Sequence, residues 1–389
     1  MEELLNFISS RSSTSPTSDT CFGIPDKNSR PDQTKTQNLC LDTYLSTSEV
    51  LLEKISAGDQ VVLNTKKHEN FAKKGLGVLA HYFDGLDASR TWLCYWSTHT
   101  LRLLNREVPH QQDISNFLRR CYNFNTGGFG GGPQQMSHLA PCYSAINALV
   151  ELEDYEFLKQ IKDDGSLAKF FNSMKNEDGS FSMHKNGEND TRSAYCAISC
   201  AKLLGIKDKV GFERTFEWLL SCQTFEGGFG GIPGAEAHGG YTFCALAGLI
   251  LLNRNKLIKD HLPEMMKCLS WLNRRQMSIE GGFNGRTNKL VDACYSFWQG
   301  ATPVLIKKYI FEDDDNEVEY YNDAALAGYI LGCCQAGFGG LIDKPGKGPD
   351  FYHTCYGMSG YGLTRMGKLD GLQEINPLHN VVQKFIKEL

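Results

Sequence analysis

Three residues in the C-terminal third of the chain have side chains of the types that bind divalent metals in proteins. Asp292 and Cys294 are two positions apart, and His353 follows farther along. A carboxylate, a thiolate and an imidazole together suit zinc and leave a fourth coordination position open for a reacting group. A chain with 14 cysteines and 10 histidines contains such triples by chance. The hypothesis therefore depends on elements that bring the three residues together.

The composition argues against several functional classes. A net charge of −5 and a pI of about 6.1 give no general basic surface for nucleic acid. The N-terminus lacks the basic segment of a secretory signal, and no stretch approaches the roughly 20 apolar residues that span a bilayer. We expect a cytoplasmic protein with reduced, mostly buried thiols, no nucleic-acid partner and no membrane span.

Glycine-rich turns divide the chain at regular intervals. Each turn contains a phenylalanine, and these recur about every 50 residues, a period typical of repeat proteins. After each turn, an apolar helical segment begins and carries a tyrosine; a sixth tyrosine fits the same spacing without a glycine turn before it. The phenylalanines are Phe129, Phe181, Phe229, Phe283 and Phe338, and the tyrosines are Tyr95, Tyr143, Tyr195, Tyr241, Tyr295 and Tyr356.

Two helices fit in each period, so the pattern predicts six helical hairpins. They could form an open solenoid or a closed double ring, and the very hydrophobic second helices favour closure. We therefore predict an all-α protein, an α/α toroid, in a single domain over residues 66–389. Residues 1–65 are predicted to be a flexible or peripheral segment, because residues 9–47 are rich in Ser, Thr, Asp and Asn.

The repeat also suggests where a site lies. The residue three positions before the tyrosine should be equivalent in every hairpin, yet its chemistry varies, which is typical of a position lining a shared polar centre. Asp292 and His353 occupy it in adjacent repeats. The six residues at this position are Trp92, Ala140, Arg192, His238, Asp292 and His353.

Structural explanations remain open for each member of the trio. The residue just before the tyrosine is small in every repeat, so Cys294 could be a buried core thiol. Asp292 could be an acidic residue favoured at a helix N-terminus, and His353 a hydrogen-bonded structural imidazole. In mid-helix, Asp292 and Cys294 would point apart, so they can converge only at a loop-to-helix junction.

Basic and aromatic residues surround the trio in the sequence. Arg286, Lys289, Tyr295 and His238 suggest an anionic ligand with phosphate oxygens, although a solvated basic turn would have the same composition. Aromatic residues at helical spacing are usually core, but their excess near the predicted centre is consistent with an apolar pocket. These aromatic residues are Trp92, Trp96, Tyr195, Tyr241, Trp298 and Tyr352.

Several long segments of the chain resemble a known family. Residues 238–244, 281–298 and 343–356 are similar to the β subunits of protein farnesyltransferases, and the resemblance extends from about residue 80 to residue 385. It implies that Asp292, Cys294 and His353 bind zinc, whose fourth ligand is the cysteine sulfur of a protein substrate. It also implies an obligate α subunit that supplies a catalytic lysine, and protein substrates ending in a CaaX motif, such as small GTPases.

The resemblance further implies roles for individual residues. His238, Arg286, Lys289 and Tyr295 would hold the diphosphate of farnesyl diphosphate and act in catalysis. The isoprenoid pocket would be lined by Arg192, Tyr195, Tyr241, Cys244 and Trp298. The surface that reads the substrate's C-terminal tetrapeptide would comprise Ser89, Trp92, Trp96, His138, Ala140, Pro141 and Tyr352.

Two positions discriminate within the family. Trp92 is bulky where geranylgeranyl-transferring relatives are smaller, and Asp343 resembles the magnesium-linked aspartate of farnesyl enzymes. Both favour a C15 donor over the alternative, a type I geranylgeranyltransferase. A terpene cyclase would need an acidic motif such as DxDD, which is absent from the sequence. A helical-repeat scaffold with a structural zinc is the non-enzymatic alternative.

Overall fold

The computed structural model describes residues 30–56, 63–311 and 320–388, and these residues are mostly helical. The π-helix Tyr329–Cys334 directly continues the α-helix Asp323–Gly328. The α-helices are α1 Arg30–Ser56, α2 Thr65–Lys74, α3 Arg90–Leu103, α4 Gln111–Cys121, α5 Leu139–Glu151, α6 Tyr155–Asp163, α7 Ser166–Met174, α8 Thr191–Leu203, α9 Thr215–Ser221, α10 Gly239–Asn273, α11 Tyr295–Trp298, α12 Ala301–Tyr309, α13 Asp323–Gly328, α14 Phe351–Leu363 and α15 Arg365–Leu369. The antiparallel strand pairs are β1 Leu341–Ile342 with β2 Pro349–Asp350, and β3 Ile375–Asn376 with β4 Val381–Val382.

The tyrosine-bearing helices form a closed inner ring. Each of α3, α5, α8, α10 and α11 packs against the next, and α14 packs against both α11 and α3. Because the last helix contacts the first, the prediction of a toroid is confirmed and the open solenoid is excluded. The long helix α10 supplies both an inner and an outer segment, with non-helical backbone at Asn253 and His261 between them.

Side-chain caps start several of these inner helices and orient their first residues. Asp190 and Ser193 form a capping box at α8, and Asp350 Oδ1 accepts a hydrogen bond from the His353 N–H at 2.8 Å. At α5 and α10 the cap is an imidazole, because Nδ1 of His138 and of His238 accepts a backbone N–H at 3.1 Å. Such caps satisfy N–H groups that have no partner within the helix.

The glycine-rich turns fold alike, with one correction to the predicted spacing. Phe129, Phe181, Phe229 and Phe283 are buried and lie in equivalent backbone bridges. In the last turn Leu341 occupies this position, bridged to Gln335, whereas Phe338 is 94% exposed. Phe338 therefore lies in its turn but is not structurally equivalent to the other four phenylalanines. This turn lacks a phenylalanine at the buried position, and a branched aliphatic side chain fills the same core space.

Backbone hydrogen bonds join five of the six inner helices to the turn of the next repeat. In every case an N–H near the helix start donates to the carbonyl two residues after the buried residue of the following turn. We refer to these bonds as the inter-repeat clasps. The donor–acceptor pairs are Arg90–Gly131, Leu139–Met183, Thr191–Gly231, Gly239–Gly285 and Ala293–Asp343, at 2.8–2.9 Å.

The C-terminal segment occupies one end of the ring. The hydroxyls of Tyr95, Tyr143 and Tyr195 donate to the carbonyls of Asn380, His379 and Leu378, at 2.5, 2.7 and 2.8 Å. The buried Glu151 carboxylate accepts the Val382 N–H at 2.9 Å. Three repeats therefore use their tyrosine to hold the end of the chain.

Residues 30–47, within the segment predicted to be flexible or peripheral, lie in α1, and residues 9–29 lie outside the described residues. Thr36, Cys40 and Tyr44 recur at intervals of four and are buried, so this polar segment has one apolar helical face. The Tyr44 hydroxyl donates to the Glu280 carbonyl at 2.5 Å. The domain boundary at residues 65 and 66 stays a prediction.

The thiols agree with the prediction from composition. All 13 described cysteines are free, and all but Cys94 are buried. None of the described helices combines the length and apolar character needed to cross a bilayer.

Candidate functional site: an Asp–Cys–His triad beside aromatic rings

The three predicted ligands meet at the junction between the 281–292 turn and α11. Cys294 is the N-cap residue of α11, and its N–H donates to Asp292 Oδ1 at 2.8 Å. His353, in the first turn of α14, places Nε2 3.3 Å from Asp292 Oδ1. One donor atom from each of the three residues lies within 4.8 Å of the others. The loop-to-helix junction thus allows residues two positions apart to converge.

The imidazole of His353 is oriented by a carboxylate that sequence reasoning missed. Asp350 Oδ2 lies 2.6 Å from His353 Nδ1, so Nδ1 donates its proton and Nε2 faces Asp292 and Cys294. Burial opposes protonation, but hydrogen bonds with Asp292 and Asp350 raise the pKa of His353 to about 10. Carboxylates behind ligating histidines fix the tautomer in many metal sites. An Asp three residues before a His at a helix start is the sequence signal that could have revealed it.

The triad fits a divalent cation on electrostatic grounds. Burial and the adjacent Asp292 carboxylate raise the pKa of the Cys294 thiol far above its usual range. Two buried anions side by side are unfavourable unless a cation lies between them. The donor set of one oxygen, one sulfur and one nitrogen suits zinc and provides three ligands of a tetrahedral site.

Asp343 lies beside the triad and serves it mainly through its backbone. Its carbonyl accepts the clasp from Ala293, the residue between Asp292 and Cys294. Burial and the charge of Asp292 raise the pKa of its carboxyl group, and the carboxylate pairs with Lys344. Oδ1 is buried without a hydrogen-bond partner among the described residues, so an oxygen is available for a hard cation such as Mg²⁺.

His238 and Tyr295 form a hydrogen-bonded pair next to the triad. The Tyr295 hydroxyl lies 3.0 Å from His238 Nε2. Burial, followed by the charge of Arg286, lowers the pKa of His238, so the imidazole is neutral near pH 7. Because Nδ1 accepts the Gly240 N–H, the proton is assigned to Nε2, which donates to Tyr295. The hydroxyl hydrogen of Tyr295 is then free to donate to a ligand.

Two of the predicted basic residues near this pair, Arg286 and Arg192, have acidic partners. Arg286 Nη1 is 2.6 Å from Glu236 Oε2. Arg192 is 2.6 Å from Asp190 and also lies over the Tyr241 ring, 5.5 Å from its centroid. Lys289 is exposed in the turn that leads to Asp292. Sequence reasoning found the cations and missed Glu236 and Asp190.

Several of the predicted aromatic residues pack against one another near the triad. Trp92 packs against Trp96 and Tyr143, with centroids 5.6 and 5.7 Å apart. Trp96 contacts Tyr352 at 5.6 Å, and Trp298 Nε1 donates to the Tyr352 hydroxyl at 3.1 Å. Tyr195 and Cys244 are buried, whereas Tyr241 and Trp298 are half-buried.

The remaining predicted residues lie at the starts of α3 and α5. Ser89 precedes α3, and Ala140 and Pro141 open α5 directly after the cap His138. The His138 ring lies 5.3 Å from the ring of His184, and burial, followed by the charge of His184, lowers its pKa to about 4. All six residues three positions before the repeat tyrosines retain solvent access, as expected for a position that lines a shared cavity.

Comparisons with known proteins identify the family. A family model described as the prenyltransferase alpha-alpha toroid domain matches residues 63–381. The protein farnesyltransferase subunit beta of Arabidopsis thaliana is 37% identical, over 89% of this chain and 85% of that protein. The same subunit of Schizosaccharomyces pombe is 42% identical, over 78% of each chain. The chain belongs to the protein prenyltransferase β-subunit family.

A solved structure agrees with this assignment. Candida albicans protein geranylgeranyltransferase-I, complexed with GGPP, superposes on this prenyltransferase subunit with a TM-score of 0.69 at 25% identity. The match covers 83% of this chain and 97% of that one. The enzyme class predicted from the sequence, a transferase of prenyl groups, is therefore confirmed at the level of the family.

Proposed function

We propose that the chain is the β subunit of a zinc-dependent protein farnesyltransferase, which transfers a farnesyl group from farnesyl diphosphate to the cysteine thiol of a C-terminal CaaX motif. The observation that carries this proposal is the convergence of Asp292, Cys294 and His353 beside a cluster of aromatic side chains. Such a site can hold a thiol nucleophile and an isoprenoid chain side by side.

In this proposal Asp292, Cys294 and His353 hold zinc, and the fourth position takes the acceptor cysteine. Bound zinc lowers the pKa of that thiol, so a thiolate is present at neutral pH. Asp350 keeps His353 Nε2 directed at the ligand cluster through its contact with Nδ1. The thiolate forms a bond to C1 of the farnesyl group as the bond from C1 to the diphosphate oxygen breaks.

Negative charge develops on the departing diphosphate, and the residues beside Cys294 can meet it. The Tyr295 hydroxyl is a donor in the tautomer assigned above, because His238 Nε2 donates to its oxygen. Arg286 and Lys289 supply positive charge, and Arg286 can exchange Glu236 for phosphate oxygens. Donors held in place before the reaction stabilise the transition state more than the ground state.

Arg192, Tyr195, Tyr241, Cys244 and Trp298 are proposed to line the isoprenoid pocket. Trp92 is packed between Trp96 and Tyr143, and its volume would limit the pocket to a C15 chain. The Asp343 carboxylate is proposed to bind Mg²⁺ near the diphosphate. The proposed tetrapeptide-binding surface comprises Ser89, Trp92, Trp96, His138, Ala140, Pro141 and Tyr352.

The proposal extends to assembly and cellular location. The relatives described above are β subunits, which supports an obligate helical-repeat α subunit, with residues 66–389 as the catalytic domain. CaaX proteins such as small GTPases are the proposed protein substrates. The free thiols of the described cysteines are consistent with the reducing conditions of the cytoplasm.

The decisive experiment is co-expression with a candidate α subunit, followed by transfer assays with a CaaX peptide. We expect farnesyl transfer that is lost after chelation and restored by zinc. A peptide with serine in place of the acceptor cysteine is the matched control and should remain unmodified. Zinc-independent transfer, or no transfer by the assembled heterodimer, would contradict the proposal.

The alternative function is that of a type I geranylgeranyltransferase β subunit, because the solved relative is a geranylgeranyltransferase-I with bound GGPP. Competition between C15 and C20 diphosphates for one peptide distinguishes the two. The proposed function predicts mainly farnesylated product, and substitution of Trp92 by a smaller residue should raise the C20 fraction. Mainly geranylgeranylated product from the unmodified chain would favour the alternative.

A further inference from the structure

Tyr329 lies in the only described π-helix, Tyr329–Cys334, within the repeat that leads to His353. It is fully buried, and its hydroxyl donates to the Asp343 carbonyl at 2.8 Å. Single π-helical turns are rare and frequently occur at functional sites.

The Asp343 carbonyl, which accepts the hydrogen bond from Tyr329, also accepts one from the backbone between two of the candidate metal ligands. Asp343 O accepts the Ala293 N–H at 2.9 Å, and Ala293 separates the candidate ligands Asp292 and Cys294. A carbonyl oxygen has two lone pairs, so it accepts both donors at once. Two hydrogen bonds and one residue, Ala293, therefore connect the Tyr329 hydroxyl with Asp292 and Cys294.

The ring of Tyr329 packs against Gly282 in the 281–292 turn. A Cβ at Gly282 would overlap the Tyr329 ring and would also meet Val291, so only glycine allows this close approach. Tyr329 thus contacts both segments that the clasp joins: the 281–292 turn through its ring and the 341–350 turn through its hydroxyl.

In other repeats, the side chain that corresponds to Tyr329 packs against the turn without a hydroxyl group that could donate a hydrogen bond. The glycine equivalent to Gly282 faces an aromatic ring in three other repeats, with Phe170 on Gly128, Trp271 on Gly228 and Phe71 on Gly340. None of these three side chains has a hydroxyl. A phenylalanine therefore satisfies the packing, and the hydroxyl occurs where the clasp lies between candidate metal ligands.

We infer that Tyr329 is a positioning residue for the metal site: its hydroxyl fixes the Asp343 carbonyl, which fixes Ala293 and hence the spacing of Asp292 and Cys294. This inference rests on the metal binding in the proposed function. Residues behind metal ligands typically affect affinity by about 10- to 100-fold. Tyr329 acts through the backbone, so we expect an effect near the lower end, about tenfold.

The test is a cobalt titration of the full chain, assembled with its α subunit, carrying Tyr329→Phe. Cobalt(II) bound to a thiolate gives charge-transfer and d–d absorption bands, which report affinity and geometry independently of catalysis. We expect about tenfold weaker cobalt binding and shifted d–d bands, with unchanged far-UV circular dichroism. Hydrogen exchange should also be faster at the Ala293 amide.

The matched control is Tyr95→Phe, which removes another fully buried hydroxyl from a backbone carbonyl, that of Asn380. It should lower thermal stability to a similar degree and leave the cobalt spectrum and affinity unchanged. Wild-type affinity and spectrum in Tyr329→Phe, or equal cobalt losses in both variants, would overturn the inference alone. Absence of cobalt binding by the unmodified heterodimer would overturn the metal site and the inference together.

Discussion

The repeat tyrosine has different partners in the two halves of the ring. In one half, the hydroxyls of Tyr95, Tyr143 and Tyr195 bind backbone carbonyls of the C-terminal segment. In the other, Tyr356 is fully buried, whereas Tyr241 and Tyr295 retain solvent access, and Tyr295 pairs with His238. The same repeated position therefore holds a buried backbone segment in the first half, while two of its three members in the second half remain open to solvent.

The largest effect on metal content and activity should come from removing a candidate metal ligand in the half that contains Tyr295. Cys294→Ala leaves Asp292 and His353 with no sulfur donor, so we expect loss of metal retention and of prenyl transfer. Metal analysis of the purified heterodimer and a transfer assay measure both. Cys268→Ala, which removes another buried thiol, is the control and should retain metal. Full activity in a metal-free Cys294→Ala protein would contradict the ligand assignment.

The next effect concerns the chemical step. Tyr295→Phe removes a donor to the developing charge on the diphosphate, and loss of one such donor typically costs about 10² in rate. We expect the single-turnover rate to fall by about this factor while the affinity for farnesyl diphosphate changes far less. Tyr95→Phe, from the other half of the ring, should leave the rate unchanged. An unchanged rate in Tyr295→Phe would remove the distinction between the halves.

A smaller effect is expected behind the metal ligand. Asp350→Asn keeps an N-cap oxygen for α14 but removes the negative charge beside His353 Nδ1, so metal affinity should fall about tenfold. Competition with a chelating dye measures it. Asp154→Asn is the matched control, since Asp154 also caps a helix, α6, and accepts hydrogen bonds from Arg119. Equal metal affinity in both variants would show that Asp350 is only a cap.

The smallest effect belongs to the half that holds the C-terminus. Tyr143→Phe removes a buried hydrogen bond to His379 O, which should lower the free energy of unfolding by about 1 kcal/mol. Chemical denaturation gives this value, and cobalt absorption should show an unchanged metal site. A change in metal affinity, with no loss of stability, would reverse the roles assigned to the two halves.

Much of this arrangement follows from periodicity. The turn spacing predicted the toroid, and the variable position before each tyrosine predicted that Asp292 and His353 would meet. The spacing failed at Phe338, because a motif match cannot distinguish a buried ring from an exposed one when Leu341 fills the core position. The polar composition of residues 9–47 did not reveal α1, where Cys40 and Tyr44 form a buried face.

Other features depend on tertiary contacts that no spacing reveals. Glu236 lies beside Arg286 because two turns from different repeats are adjacent in the ring. The Tyr329 hydroxyl reaches the Asp343 carbonyl of the following turn, and the sequence Tyr-Ile-Leu-Gly-Cys-Cys at 329–334, which forms the π-helix, has no periodicity that distinguishes it from an α-helix. The cap residue Asp350 interacts with His353, which is close to it in the sequence. Its position just before an apolar helix is visible in the sequence, so it is a missed residue that sequence reasoning could have found.

The central claim is that Asp292, Cys294 and His353 hold a metal whose remaining position accepts the substrate sulfur. Adding a CaaX peptide to the cobalt-loaded heterodimer, in the presence of an unreactive farnesyl diphosphate analogue, tests it directly. We predict that the sulfur-to-cobalt charge-transfer band grows as a second thiolate binds, and that a peptide with serine in place of the cysteine leaves it unchanged. An identical spectrum with and without the cysteine peptide would contradict the account.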